Sequence, residues 1–248
     1  IMKTAKVFQT NMSVTTINEL AKILTKSKGN LVAICNATTL VRCARDKNIR
    51  KVIENFSIKT ADGFPVAKSI SIFTKKKHSR VDGYKVFMTT LEHGLKSGTK
   101  HYFFGNDEDI LEKMVANIKN IYPNIQVTWY FSPKYAEAYE LVLDYKDIFD
   151  DIDADIIWVS LGFPKQELFI NKLNSEKSLD FNFVGIGAVF EWVAGTKIKA
   201  PEFIANMGLE WFLRFVQEPG RLFRRYIIDI PFFVFFFLNY YLSKKERK

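Results

Sequence analysis

Asp155–Leu173 reads DIIWVSLGFPKQELFINKL. Its first half is a short apolar run of strand length, and its second half has the apolar spacing of a helix. Gly162 ends the run, Pro164 suits the first turn of the helix, and Gln166 and Glu167 then fall at the helix N-terminus. The same pattern recurs on either side. NLVAIC is followed by TTLVRCARDK, HYFFG by DEDILEKMVANIKNIY, IQVTWYF by YAEAYELVLDYKDIF, and FNFVGIG by AVFEW. Strands alternating with helices at this spacing predict an α/β fold of Rossmann-like type, a mostly parallel sheet with helices on both faces. In such sheets ligands bind past the carboxyl ends of the strands. The loops that carry chemistry are therefore the ones that follow each strand.

Read in that way, the first candidate is Asn36, directly after NLVAIC. Asp62 stands in the turn of SIKTADGFPVAKSI, between a short extended run and a helix-like segment. An Asp-Gly pair is an ordinary turn signal. At a strand end, the carboxylate is also placed to take a proton from a hydroxyl nucleophile. Arg80, in SRVDG, is a candidate phosphate contact, and Gly105 makes a tight strand-to-helix turn whose amides are suited to phosphate. Gln166 is placed for a nucleotide or sugar hydroxyl, and Glu191 adds a carboxylate to the same rim. Gly185-x-Gly187 lacks the third glycine of a dinucleotide fingerprint and comes late in the sheet, which argues against a nicotinamide cofactor. The acidic run Asp150, Asp151, Asp153, Asp155 precedes its strand, so it belongs to the wrong end of the sheet for a metal-binding DxD signature and reads as a solvated loop.

The 248 residues carry a net charge of +9, which implies an anionic partner. No helix-turn-helix, zinc-finger or RNP pattern points to nucleic acid. The two cysteines, Cys35 and Cys43, form no CxxC, and His78, His93 and His101 stand apart, so neither a disulfide framework nor a metal site is expected. The opening IMKTAKVFQTNM has no apolar core of a signal peptide, which predicts a cytoplasmic protein.

The charge gathers toward the C-terminal end. In GLEWFLRFVQEPGRLFRRY, residues 208–226, helical spacing places Arg214, Arg221, Arg224 and Arg225 largely on one face, with a bend expected at Pro219-Gly220. Clustered guanidinium groups suit phosphate oxygens. On residue type alone, a solvated face paired to Glu210 and Glu218 accounts for them equally well. The following IIDIPFFVFFFLNYYL is interrupted and short of the about 20 apolar residues that a bilayer crossing needs. With its bracketing tyrosines and trailing lysines it reads as a segment lying on an anionic membrane surface; docking on the core or on a second subunit is the alternative.

Six motifs in order, TADG at 60–63, RVDG at 80–83, LGFPKQE at 161–167, VGIGAVFEWVAG at 184–195, KAP at 199–201 and the arginine-rich segment at 208–226, resemble the WecG/TagA/CpsF bacterial glycosyltransferases. The resemblance implies transfer of N-acetylmannosamine, its uronic acid or glucose from a UDP-sugar to a polyprenyl-diphosphate-linked sugar at the inner face of the plasma membrane. It further implies inverting, metal-independent chemistry with no cofactor. By position, Asp62 matches the family's general base; Asn36, Arg80, Gln166 and Glu191 match donor-site residues; and Arg214, Arg221 and Arg224 match arginines that contact diphosphate. Glu191 stands where the family usually has Asp, Lys199 where it has Arg, and Ile34 where the teichoic-acid members carry Thr near the donor sugar. The expected organisation is a catalytic core over 1–200 and a helical, membrane-docking appendage over 201–248. A non-catalytic nucleotide-binding scaffold is the alternative activity, and a symmetric dimer covering the aromatic tail stays open.

Overall fold

Apolar runs with no polar alternation suit strands covered on both faces, and here they become the inner strands of one sheet. The computed structural model describes residues 2–177, 179–201, 204 and 210–246. Strands β1 (Thr4–Val7) and β2 (Thr10–Ser13) make an antiparallel hairpin that the sequence reading did not anticipate. Strands β3 (Leu31–Cys35), β4 (Ile58–Ala61), β5 (Lys100–Phe104), β6 (Gln126–Phe131), β7 (Ile156–Val159) and β8 (Asn182–Gly185) form a six-stranded sheet in the order β4-β3-β8-β7-β5-β6. Every pairing in that sheet is parallel.

Side chains on successive strand residues point to opposite faces, and the sheet is buried on both. On β7, Ile157 and Val159 join one apolar cluster while Ile156 and Trp158 join the other. The first cluster is completed by the hairpin and by helices α2 (Ala37–Arg45), α3 (Lys47–Glu54), α4 (Phe64–Thr74), α7 (Ala138–Tyr145) and α8 (Lys165–Glu176). The second belongs to α1 (Ile17–Lys26), α5 (Gly83–Ser97), α6 (Glu108–Ile121) and α9 (Val189–Val193). The expected α/β sheet with helices on both faces is therefore what the chain adopts. Pro164 sits one residue earlier than its sequence position suggested: it is the residue before α8, not its first turn.

The C-terminal segment is helical in pieces. Helix α10 (Glu210–Gln217) ends at a bend, and Pro219 begins α11 (Pro219–Arg224), because a residue without an N–H is tolerated only in a first turn. One π-helical segment, Arg225–Asp229, leads into α12 (Ile230–Glu246). No described helix is long and apolar enough to cross a membrane.

Helix α12 is apolar all round. Its inner stripe, Phe233, Phe236, Phe237 and Tyr240, has the i, i+3, i+4, i+7 spacing of one helix face and packs on the core. Phe233 meets Phe8 of the hairpin edge-on at 5.1 Å, Tyr240 meets Phe73 of α4 at 4.8 Å, and Tyr240 Oη donates to the Lys6 carbonyl at 3.3 Å. The Arg45 guanidinium lies 4.3 Å over the Phe232 ring. The outer stripe, Val234, Phe235, Leu238, Tyr241 and Leu242, is exposed. One expectation was a surface-lying tail and the alternative was a docked one; this helix docks by one face and leaves the other bare.

Candidate active site

The loops past the carboxyl ends of β3, β4, β7 and β8 converge on a cleft of about 380 Å³. Asn36, Asp62 and Gln166, widely separated in sequence, all line it.

Each is held by local rules. Asn36 caps α2: its side-chain oxygen accepts the Thr39 N–H at 3.2 Å, and Thr39 Oγ1 accepts the Asn36 N–H at 3.3 Å. Asp62 extends the β3–β4 ladder, its N–H donating to the Cys35 carbonyl at 2.9 Å. Gly63 follows at φ 85°, a left-handed conformation that glycine adopts without steric cost, and this turns the chain into α4. The half-buried Asp62 thus stands at the lip of the cleft. Gln166, 4% exposed, bridges two elements: its Oε1 accepts the Gly187 N–H at 3.0 Å and its Nε2 donates to Glu167 Oε1 at 2.9 Å. Glycine at 185 makes room for this amide, since a Cβ there would come within 2.9 Å of Gln166 Nε2 and the side chain would have to shift. Glu167 is buried behind Gln166 and outside the cleft lining.

Other candidates lie apart. Arg80 Nη2 bonds Asp82 Oδ2 at 3.1 Å; Asp82 Oδ1 caps α5 through the Lys85 N–H at 2.9 Å, and neither Arg80 nor Asp82 lines the cleft. Gly105 also lies outside the cleft, at φ 107°, where the Ser160 carbonyl leaves no room for a Cβ. Glu191, in α9, pairs with Lys197 at 2.6 Å; Lys197 lines the cleft and Glu191 does not. The backbones of Arg214, Arg221 and Arg224 run through α10 and α11, but their side chains lie outside the described residues.

Sequence reasoning missed part of the lining. Thr38, Thr39 and Arg42 line the cleft from α2, Arg42 standing at i+4 from Thr38 and i+3 from Thr39 on one helix face. Lys197 is held between Glu191 and Glu218, the latter at 2.7 Å, which ties the loop after α9 to the bend between α10 and α11. Ile34, Ile186, Val189 and Trp192 form apolar wall. Burial pushes the Cys35 thiol well above its usual range and Cys43 up to about 12, so both are protonated thiols near neutral pH and neither serves as a nucleophile.

A cleft with a carboxylate at its lip, amide and hydroxyl groups along its floor and an aliphatic-aromatic wall suits a polyhydroxylated ligand attacked by a hydroxyl. The sequence comparisons agree with that chemistry. A family model described as "Glycosyl transferase WecG/TagA/CpsF family" matches residues 5–247. The chain is 26% identical over 214 residues to an N-acetylglucosaminyldiphosphoundecaprenol N-acetyl-beta-D-mannosaminyltransferase of Bacillus spizizenii, covering 85% of this chain and 79% of the relative. To the Bacillus subtilis (strain 168) protein of the same description it is 27% identical over 219 residues, covering 88% of this chain and 82% of the relative.

Proposed function

The chain belongs to the WecG/TagA/CpsF glycosyl transferase family, and from that premise we propose that it moves a hexose, of the N-acetylmannosamine kind, from a UDP-sugar to a polyprenyl-diphosphate-linked N-acetylglucosamine. The observation that carries this reading is the meeting of Asp62, Asn36 and Gln166 in one cleft at the carboxyl edge of the sheet.

In the proposed reaction the Asp62 carboxylate takes the proton of the acceptor hydroxyl as its oxygen attacks the anomeric carbon from the face opposite the nucleotide. The anomeric carbon–oxygen bond to the diphosphate breaks, its electron pair leaves with UDP, and the configuration inverts. Gln166 and Asn36 orient the donor. Guanidinium groups stabilise the charge that develops on the leaving diphosphate, a role assigned to Arg214, Arg221 and Arg224. The mannosamine assignment rests on the Bacillus relatives; Ile34, half-buried in the cleft wall, presents an aliphatic group at the sugar-side position singled out in the sequence.

The exposed stripe of α12 belongs, in this reading, against the membrane that holds the acceptor lipid. Aromatic and aliphatic side chains on one side of a helix, with basic residues at its end, suit an anionic interface.

The deciding experiment offers a panel of UDP-sugars with a polyprenyl-diphosphate-N-acetylglucosamine analogue and follows UDP release and product mass. A product one N-acetylhexosamine heavier supports the assignment. UDP binding without product from any donor favours the non-catalytic scaffold. For the tail, the double substitution Phe235→Asp, Leu238→Asp is expected to abolish sedimentation with anionic vesicles while leaving thermal stability unchanged. Retained vesicle binding defeats that part, and a change from dimer to monomer instead would assign the stripe to a second copy.

A further inference from the structure

Two cations among the described residues line the cleft, and they differ in what they are doing. Lys197 is spent between Glu191 at 2.6 Å and Glu218 at 2.7 Å. Arg42 is not spent. Its guanidinium carries five N–H donors, yet among the described residues its side chain makes no hydrogen bond; its one ionic contact runs from Nε to Asp229 Oδ1 at 3.9 Å. That contact is too long for a hydrogen bond. Asp229 is under-served in turn. It ends the π-helical segment before α12, its side chain is 2% exposed, and among the described residues neither carboxylate oxygen has a hydrogen-bond partner.

A buried carboxylate without donors is costly and persists where something else fixes it. Its position here suggests what that is. Asp229 approaches Arg42 from the side of the C-terminal segment, while the Arg42 side chain is 45% exposed and opens on the cleft. The contact uses Nε, which leaves the paired terminal nitrogens, the fork that matches phosphate geometry, for a ligand. Arg42 follows Thr38 by one helical turn, so its head lies on the lining face of α2.

We propose that Arg42 is a diphosphate-binding residue of the cleft and that Asp229 is its positioning residue, aiming the guanidinium from the tail side. The proposal rests on the glycosyltransferase reading above and adds to it a binding group contributed by α2. The diphosphate is either that of the nucleotide sugar or that of the lipid acceptor, and the two are separated by the test. It also ties the C-terminal segment to the cleft: a seated Asp229 is what holds the ligand-binding cation in place.

The test measures UDP affinity by calorimetry and, separately, KM for a short-chain prenyl-diphosphate-N-acetylglucosamine, on the full chain. Arg42→Gln is expected to weaken one of these constants at least about tenfold, the scale of one lost charged hydrogen bond, with Arg42→Lys intermediate. Weakened UDP binding identifies the nucleotide diphosphate; a raised acceptor KM identifies the lipid's. Arg45→Gln removes the same charge from the same helix outside the cleft and is expected to change neither constant more than about twofold. Asp229→Asn is expected to weaken the same constant as Arg42→Gln and to add nothing to it in the double variant, as coupled residues do. If that variant does not fold, Asp229→Glu carries the same cycle.

If Arg42→Gln leaves both constants unchanged in an enzyme that turns over, the proposal is overturned and the proposed function stands. Additive effects of Asp229 and Arg42 overturn the positioning role alone. Wild-type protein that binds UDP but transfers nothing defeats the proposed function while Arg42 is still judged by UDP affinity. Protein that neither binds UDP nor transfers defeats both.

Discussion

The two ends of the sheet treat charge in opposite ways. At the amino end, acids and lysines neutralise one another in water. Lys100 Nζ meets Asp153 at 2.6 Å, Lys28 meets Asp155 at 3.3 Å, and Lys177 pairs with Asp147 and Asp150. These contacts hold the Lys100 ammonium above its usual range and the Asp147 carboxyl below its own, chiefly through hydrogen bonds to their partners. At the carboxyl end, polar groups are set among Ile34, Val189 and Trp192, and the Arg42–Asp229 pair is left half-made. A charge costs little to keep in water and does little there; near low-dielectric walls it acts strongly on a ligand. The acidic run that superficially resembles a metal-binding signature belongs to the first kind of surface.

The sharpest way to break this contrast is to remove one carboxylate from each end. Asp62→Asn is expected to lower kcat by about 10²–10⁴, the usual worth of a general base, with the melting temperature unchanged. Wild-type turnover by the folded variant would dismiss Asp62 as the base.

Next in size is Gly185→Ala at the carboxyl end of β8. Its new methyl group would displace Gln166 Nε2, and overpacking of this kind destabilises by about 1–3 kcal/mol. Donor KM is expected to rise with it, because the Gln166 contact to the Gly187 N–H is disturbed. An unchanged KM would mean that Gln166 does not touch the donor.

An effect seen only on acidification, and absent at neutral pH, belongs to His101, near the amino end of β5. Burial lowers its pKa to about 3, and its Nδ1 accepts the Trp158 Nε1–H at 3.1 Å, so the folded state holds the imidazole neutral. A pKa depressed on folding contributes stability that is present above the unfolded value near 6.5 and is lost as pH falls from there toward about 3. Stability should therefore drop through this window with a slope approaching about 1.4 kcal/mol per pH unit. His101→Gln, which keeps an acceptor for Trp158, should flatten the slope in chemical melts at pH 7 and pH 5; an identical slope would assign the acid sensitivity elsewhere.

The smallest effect is expected of Asp153→Asn, whose partner lies in water: neither the melting temperature nor transfer should change measurably. A large loss of transfer there would erase the distinction between the two ends.

What the sequence disclosed follows from how strongly each feature is written. Strands β3, β5, β7 and β8 are largely apolar runs that a parallel sheet covers on both faces, and the edge strand β6 is announced by its aromatic end, Trp129, Tyr130 and Phe131. The hairpin escaped notice because TAKV and TNMS are short and half polar, and the turn between them places Phe8 at φ 54° without a glycine or asparagine to announce it. Asn36, Asp62 and Gln166 were legible because each immediately follows a strand or opens a helix. Lys197 and Arg42 were not: Lys197 owes its place to Glu191 and Glu218, and Arg42 looks like any helix cation until Asp229, 187 positions later, comes to rest beside it. Arg80 and Gly105 carry the right residue type and lie outside the cleft lining, one bonded to a capping aspartate and the other packed against the Ser160 carbonyl.

Gly185 also limits how this cleft can be re-engineered. On one side, a side chain at 185 displaces the amide that braces the Gly187 loop. Elsewhere the lining is permissive: Ile34 and Val189 contribute only aliphatic bulk. Trimming Ile34 would widen the chamber without severing a polar contact, so attempts to retune the enzyme toward a larger sugar have their natural starting point there.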